Sequence, residues 1–133
     1  MVLVDTNVLL DVATRDAKWF SWSAGQLTKL IDAREAAINP VIYAELAPLF
    51  IDARDLDLNL VPPSDFRRLA LPYSAGFPAA RAFQAYRKAG GQRSAPLPDF
   101  FIGAHAEAEG LTLLTRDATR YRTYFPKVKL ICP

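Results

Sequence analysis

The sequence has little that could serve disulfide or histidine chemistry. Of its 133 residues, one is a cysteine, Cys132, and one is a histidine, His105. A single cysteine excludes an intrachain disulfide and fits a reducing cytoplasm. A single histidine excludes acid–base catalysis by a pair of histidines within one chain. His105 lies six residues after Asp99, on another face of the same predicted helix, and we expect it to be structural or a surface residue.

Long apolar runs are also missing. No stretch approaches the roughly 20 apolar residues of a membrane-spanning helix. Asp5 interrupts the apolar start of the chain too early for a signal peptide. The sequence therefore predicts a cytoplasmic protein without a membrane segment.

The overall composition is that of a globular protein. Hydrophobic residues make up 51% and charged residues 23% of the chain, a length and balance that predict one domain over residues 1–133. The formal net charge is +2, and most of the 16 basic residues are arginine, which suits bidentate phosphate contacts. This balance permits a nucleic-acid partner, but a solvated arginine-rich surface explains it equally well.

The hydrophobic pattern alternates between short strands and helices. This alternation predicts an α/β fold with a parallel sheet covered on both faces. Strands are predicted at residues 2–4, 36–39, 111–114 and 128–131, and helices at 8–13, 22–34, 40–45, 77–88, 98–109 and 117–124. Pro48 should end or kink the third of these helices. Residues 57–61 are ambiguous and read as extended, and residues 64–71 read as a helix capped by Ser64 or Asp65.

Four acidic residues stand out by position. Asp5 ends the first strand and Asp117 follows the third, so both should face the crevice at the carboxyl ends of parallel strands. Asp99 opens a helix, and Glu45 lies within the third predicted helix. Each has an ordinary explanation taken singly, as a helix cap, a turn residue or a solvated side chain.

The apolar surroundings of these acids favour a shared role. Asp5 follows an apolar strand, and Glu45 and Asp99 lie among apolar neighbours with no adjacent lysine or arginine. Two carboxylates about 4 Å apart repel by about 4 kcal/mol at an effective dielectric near 20, so a cluster must be protonated or neutralised by a cation. An all-oxygen donor set favours Mg²⁺ or Mn²⁺. The chemistry that follows is metal-assisted phosphodiester hydrolysis.

Four segments carry a resemblance to a known family. These segments are VLVDTNVLLD, PVIYAEL, PDFFIGAHAEAEG and LLTRD. In this order and spacing the chain resembles PIN-domain nucleases, and among them the VapC-like toxins of type II toxin–antitoxin pairs. The resemblance implies a three-layer α/β/α domain with a central, mostly parallel sheet.

The resemblance also implies a site. The family's catalytic and metal-binding acids fall on Asp5, Glu45, Asp99 and Asp117, and the polar residues that support them fall on Thr6, Asn7 and Thr115. Relatives place the fourth acid either at the position of Asp117 or three residues later. Here the later position is Arg120, so Asp117 must serve, and one or two metals remain possible.

The implied activity is cleavage of RNA, often tRNA or rRNA, with Mg²⁺ or Mn²⁺ as cofactor. The implied partners are a second copy of the chain and a small antitoxin protein that blocks the site. Arginines and lysines near the predicted site are candidates for RNA contact, with a solvated loop as the alternative. These are Arg87, Lys88, Arg93 and Arg116.

Two other functions compete with this one. A phosphatase of the haloacid-dehalogenase type also places an aspartate after a strand, but it starts D-x-D, and here the third position is Asn7. A catalytically silent domain that only binds RNA or protein would not need all four acids.

Overall fold

A parallel β-sheet organises the molecule. The structure is a computed structural model that describes residues 1–92 and 97–133. Within that part of the chain, five strands pair in the order β3-β2-β1-β4-β5, and every pairing is parallel. The strands are β1 Val2–Val4, β2 Ala36–Ile38, β3 Arg67–Arg68, β4 Thr112–Leu114 and β5 Leu130–Ile131.

Helices connect the strands and cover the sheet. They are α1 Thr6–Ala13, α2 Phe20–Asp32, α3 Pro40–Leu46, α4 Ala53–Asn59, α5 Gly76–Lys88, α6 Pro98–Glu109 and α7 Thr119–Tyr124. Two short 3₁₀ turns, Ala47–Leu49 and Tyr73–Ala75, follow α3 and precede α5. The predicted three-layer α/β/α class is confirmed, and the sheet is parallel throughout the described residues. None of the helices described is long and apolar enough to cross a membrane.

The central strand β1 sets the core. Val2, Leu3 and Val4 are all buried, and Leu3 lies in register with Ala37 on one side and Leu113 on the other. Because helices cover both faces of the sheet, successive side chains of β1 are apolar instead of alternating with polar ones. Because β1 ends at Val4, the next residue, Asp5, lies at the carboxyl edge of the sheet.

Local signals fix the ends of α3. The Asn39 side chain caps it by accepting a hydrogen bond from the Ile42 N–H at 2.9 Å, and Pro40 occupies its first turn, where no N–H is needed. Pro48 lies in the 3₁₀ turn that follows, so the predicted end of this helix is confirmed. These signals place Glu45 in the last turn of α3.

The structure settles the ambiguous residues 57–61 and shows that the helix predicted over residues 64–71 was wrong. Residues 57–59 belong to helix α4, which begins where Asp52 accepts from the Asp55 N–H at 2.8 Å. Residues 64–71 form no helix, because Arg67–Arg68 pair with β2 as the edge strand β3. Pairing with a distant strand outweighs local propensity here.

His105 has a structural role. It is fully buried in α6 and lies between two polar partners. Asn39 Nδ2 donates to its Nδ1 at 3.0 Å, since Asn39 Oδ1 already accepts from the α3 backbone. Its Nε2–H then faces Glu109 Oε2 at 3.3 Å. His105 thus ties α6 to the start of α3 and takes no part in the acidic site.

Candidate active site

An acidic crevice opens at the carboxyl edge of the sheet, beyond the ends of β1 and β4. Three of the four predicted acids, Asp5, Asp99 and Asp117, line it together. The other described lining residues are Asn7, Tyr86, Thr119, Arg120, Thr123 and Tyr124. The sheet topology explains the meeting, because β1 and β4 are neighbours and end side by side.

Glu45 lies beside this crevice and not in its lining. It faces a shallow apolar groove between α3 and α6, formed with Pro40, Val41, Ala44, Pro98 and Phe101. Its Oε1 accepts a hydrogen bond from the Thr6 hydroxyl at 2.7 Å, and Thr6 directly follows Asp5. Glu45 is therefore coupled to the site through the first residue of α1.

The Asp5 carboxylate is held in one orientation. It is only 3% exposed, and three side chains direct hydrogen bonds at its Oδ2. Thr115 Oγ1 lies at 2.8 Å, Tyr121 Oη at 3.0 Å and Asn7 Nδ2 at 3.2 Å from that oxygen. Donors from α1, the loop after β4 and α7 thus converge on a residue that follows β1.

Negative charge accumulates across the site. Burial raises the pKa of Asp5 to about 7, the negative charge of Asp99 adds to the effect, and the donors from Thr115 and Tyr121 oppose it. Burial also raises the pKa of Asp99, with Arg120 opposing and Asp117 adding to the rise. Burial raises the pKa of Glu45, against the hydrogen bond from Thr6, and Asp99 raises it further. Asp99 therefore acts electrostatically on both Asp5 and Glu45.

Tyr121 is a site residue that the sequence interpretation missed. It is 1% exposed, and burial together with the nearby Asp5 charge raises its pKa well above the usual value, so its hydroxyl stays protonated and donates. Its contact with Asp5 joins residues 116 positions apart. The one available signal was a tyrosine four residues before Phe125 on a short helix, a spacing that turns both rings inward.

The predicted supporting residues lie against the acids. Asn7 Nδ2 lies 3.2 Å from both Asp5 Oδ2 and Thr115 Oγ1, so it links α1 to the loop after β4. Thr115 is fully buried and also accepts from the Asp117 backbone N–H at 3.1 Å. Asn7 and Thr115 thus contact the Asp5 carboxylate, Thr115 also contacts the backbone of Asp117, and Thr6 contacts Glu45.

Arg116 forms an ion pair with a buried carboxylate. Its Nε lies 3.0 and 2.8 Å from the two carboxylate oxygens of Asp11, which is 2% exposed. The Ser23 hydroxyl donates to the same carboxylate at 2.7 Å, and the Arg116 N–H contacts Asn7 Oδ1 at 3.3 Å. This arrangement gives Arg116 a structural role that ties α1 and α2 to the loop carrying Thr115, while contact with RNA stays a prediction.

Two of the other predicted RNA-contacting residues lie at the end of α5. Arg87 and Lys88 occupy its last turn and are exposed. Arg93 lies outside the described residues. The basic end of α5 is close in sequence to Tyr86, which lines the crevice.

The donor chemistry of the crevice suits a hard divalent cation. Its acids offer only oxygen ligands. The pKa of Asp5 is raised with no positive charge to oppose the rise, and the pKa of Asp99 is raised despite the nearby Arg120. Within residues 1–92 and 97–133, no three His, Cys, Asp or Glu side chains are arranged so that they could hold a metal ion. The residues thus fit a cation in type and charge, although their oxygens do not converge on one point.

The fold and the crevice together define an α/β/α domain with an acidic site at the carboxyl edge of a parallel sheet. The family model of the PIN domain matches residues 2–126, and the chain belongs to the PIN domain family. No curated protein matches the sequence significantly.

Solved structures share the fold at low sequence identity. VapBC2 from Rickettsia felis, bound to a DNA fragment from its promoter, is 18% identical with a TM-score of 0.72, over 100% of this chain and 99% of that chain. FitAcB from Neisseria gonorrhoeae is 23% identical with a TM-score of 0.69, over 98% and 96%. A toxin–antitoxin complex from Klebsiella pneumoniae is 22% identical with a TM-score of 0.63, over 96% and 95%.

Proposed function

We propose that this protein is a metal-dependent endoribonuclease that hydrolyses RNA phosphodiester bonds. Its membership of the PIN domain family supports a nuclease. The observation that carries the proposal is the buried Asp5 carboxylate, oriented by three donors and sharing one crevice with Asp99 and Asp117. A buried carboxylate without a cationic partner is costly, and a bound cation would remove that cost.

Asp5 and Asp99 are the residues that we expect to hold Mg²⁺ or Mn²⁺, with Asp117 and Glu45 completing the acidic set. A divalent ion supplies charge neutralisation at the scissile phosphate and a water of lowered pKa. The chain's own residues orient these acids. Tyr121, Thr115 and Asn7 hold the Asp5 carboxylate, and Thr6 holds Glu45.

The toxin role is the finer part of the proposal. The neighbours by fold include VapBC2, FitAcB and a toxin–antitoxin complex. These neighbours favour a cognate antitoxin protein as partner. We propose that the chain acts as a single PIN-like nuclease domain over residues 1–133, in the cytoplasm, as a homodimer, on a structured RNA such as tRNA or rRNA. Growth arrest on expression, relieved by Asp99→Asn, is the expected sign of a toxin.

The nuclease proposal is tested with purified protein and RNA. Cleavage should require Mg²⁺ or Mn²⁺ and stop in EDTA. Asp99→Asn should lower the cleavage rate at least about a hundredfold, since a change in the shell around a metal alone costs up to that factor. Asp65→Asn, an exposed change outside the crevice, is the matched control and should cleave normally. Undiminished cleavage in EDTA would remove the metal mechanism, and RNA binding without cleavage would favour a silent binding domain.

A further inference from the structure

The acidic crevice contains a cation of its own. Arg120 is the one lysine or arginine among the described residues that line it, and it lies among the carboxylates of Asp5, Asp99 and Asp117. A crevice with three carboxylates repels a phosphate group. Any positive charge inside it therefore bears directly on whether RNA can enter.

Aromatic rings hold the Arg120 guanidinium at the crevice wall. Its central carbon lies 5.8 Å from the Tyr86 ring centroid and 5.6 Å from that of Phe100. Aromatic rings attract a guanidinium through the cation–π interaction, and its N–H groups remain available to an anion. The Arg120 side chain is 35% exposed, so these N–H groups reach the solvent in the crevice.

The carboxylate partner of Arg120 is held loosely. A single contact of 3.4 Å joins its Nη1 to Asp99 Oδ2, and the Asp99 side chain is 39% exposed. An exposed, long, single contact of this kind contributes little and exchanges easily. Arg116 is the contrast, because two short contacts of 3.0 and 2.8 Å join it to the buried Asp11. Of these two arginines, only Arg120 can leave its carboxylate at low cost.

We propose that Arg120 binds a phosphate group of the RNA in the crevice and rests on Asp99 when RNA is absent. This inference rests on the proposed function, since it assumes an RNA substrate. It assigns to Arg120 a charged contact with the RNA backbone. The position of Arg120 on the aromatic wall sets which side of the acidic crevice that backbone follows.

RNA binding without cleavage provides the test. In Asp99→Asn the partner of Arg120 is neutral, so the protein should bind a short fluorescent single-stranded oligoribonucleotide without metal. Adding Arg120→Ala to this background should weaken binding about tenfold, as for the loss of a hydrogen bond to a charged group. The slope of log affinity against log salt concentration should also fall by about 0.7, the value for one phosphate contact on a single strand.

Two further variants keep the test sharp. Arg122→Ala is the matched control, because it removes the same charge from the same helix at an exposed position outside the crevice lining, and it should change neither affinity nor slope. Arg120→Lys keeps the charge but loses the planar fork, so the slope should persist while affinity falls a few-fold.

The outcomes separate this inference from the nuclease proposal. Equal effects of Arg120→Ala and Arg122→Ala would overturn the inference, and so would undetectable oligonucleotide binding by Asp99→Asn. Calorimetric titration with Mn²⁺ gives an independent readout. Because Arg120→Ala removes a positive charge, the variant should bind Mn²⁺ as tightly as the unchanged protein or more tightly. A weaker Mn²⁺ affinity would mean that Arg120 only shapes the metal site, which also overturns the phosphate contact. If the unchanged protein never cleaves RNA but the Arg120 effects hold, the nuclease proposal alone fails.

Discussion

Replacing Asp5 with asparagine should stabilise the metal-free protein at and above neutral pH. The Asp5 carboxyl is 3% exposed, and its pKa rises from 3.8 to about 7 on folding, mainly through burial. A charge that the folded state disfavours destabilises that state once the group ionises. Asparagine has no such charge, and its carbonyl oxygen can still accept from Thr115 and Tyr121.

The sign and size follow from the two pKa values. Between pH 3.8 and about 7 the unfolded chain releases the Asp5 proton while the folded protein keeps it, so stability falls as pH rises through this window. Below pH 3.8 the contribution is constant and favourable, and above pH 7 it is fully lost. At 1.36 kcal/mol per pH unit, the loss amounts to about 4 kcal/mol. We expect Asp5→Asn to recover about half of this or more at pH 8.

Urea unfolding in EDTA at about pH 4, 6 and 8 measures the effect. The free energy of unfolding of Asp5→Asn should equal or fall below that of the unchanged protein near pH 4 and exceed it at pH 8. Asp65→Asn, which is exposed, should show no comparable pH-dependent gain. Mn²⁺ should reduce or reverse the advantage of Asp5→Asn, since a bound cation stabilises only the native carboxylate. A difference between the two proteins that does not change with pH would refute the reasoning.

Two further changes test how the site is supported. Asp11→Ala leaves Arg116 without its carboxylate partner and should lower the free energy of unfolding by about 2 kcal/mol. The loss is smaller than for a fully buried pair because the Arg116 side chain is 30% exposed. An unchanged unfolding midpoint would argue against a stabilising ion pair here. Gly103→Ala would place a Cβ 2.3 Å from the Phe125 ring, which is 1% exposed and cannot retreat, so it should cost about 1–3 kcal/mol. Gly25→Ala, on α2 with no atom within 4 Å, is the matched control and should instead gain about 0.5–1 kcal/mol. Equal shifts in the two glycine variants would contradict the packing at Phe125.

The fold was predictable where sequence pattern and tertiary environment agree. β1 is a buried apolar run, and so are Leu113 and Leu114 of β4. Helix α6 begins at Pro98, and Gly110 follows its last residue in the left-handed conformation, as the sequence indicated. β3 was not predictable, because Arg67 and Arg68 are exposed and carry no apolar alternation. That strand exists through pairing with β2, about thirty residues earlier in the chain, and local sequence does not encode such a partner.

The site was predictable in membership more than in arrangement. Strand ends predicted Asp5 and Asp117 at one edge of the sheet, the start of α6 predicted Asp99 beside them, and all three line one crevice. The rotation of α3 decides that Glu45 faces the neighbouring groove, and a helical segment of seven residues does not reveal that rotation from its sequence. Tyr121 was not predicted as a site residue for a related reason, since its contact with Asp5 depends on how α7 packs against the end of β1.

Two buried aspartates near the start of the chain, Asp5 and Asp11, differ in whether the protein neutralises their charge. Asp11 is 2% exposed, and Arg116 and Ser23 satisfy its carboxylate within the protein. Asp5 is 3% exposed, yet its neighbours supply neutral donors only, and its nearest charged influence is the like charge of Asp99. A penalty of about 4 kcal/mol is a large fraction of the 5–15 kcal/mol that stabilises a typical domain. Folding alone would favour an apolar residue or a paired charge at this position, as it has at Asp11, so the uncompensated charge of Asp5 supports the proposal that a cation binds in the crevice.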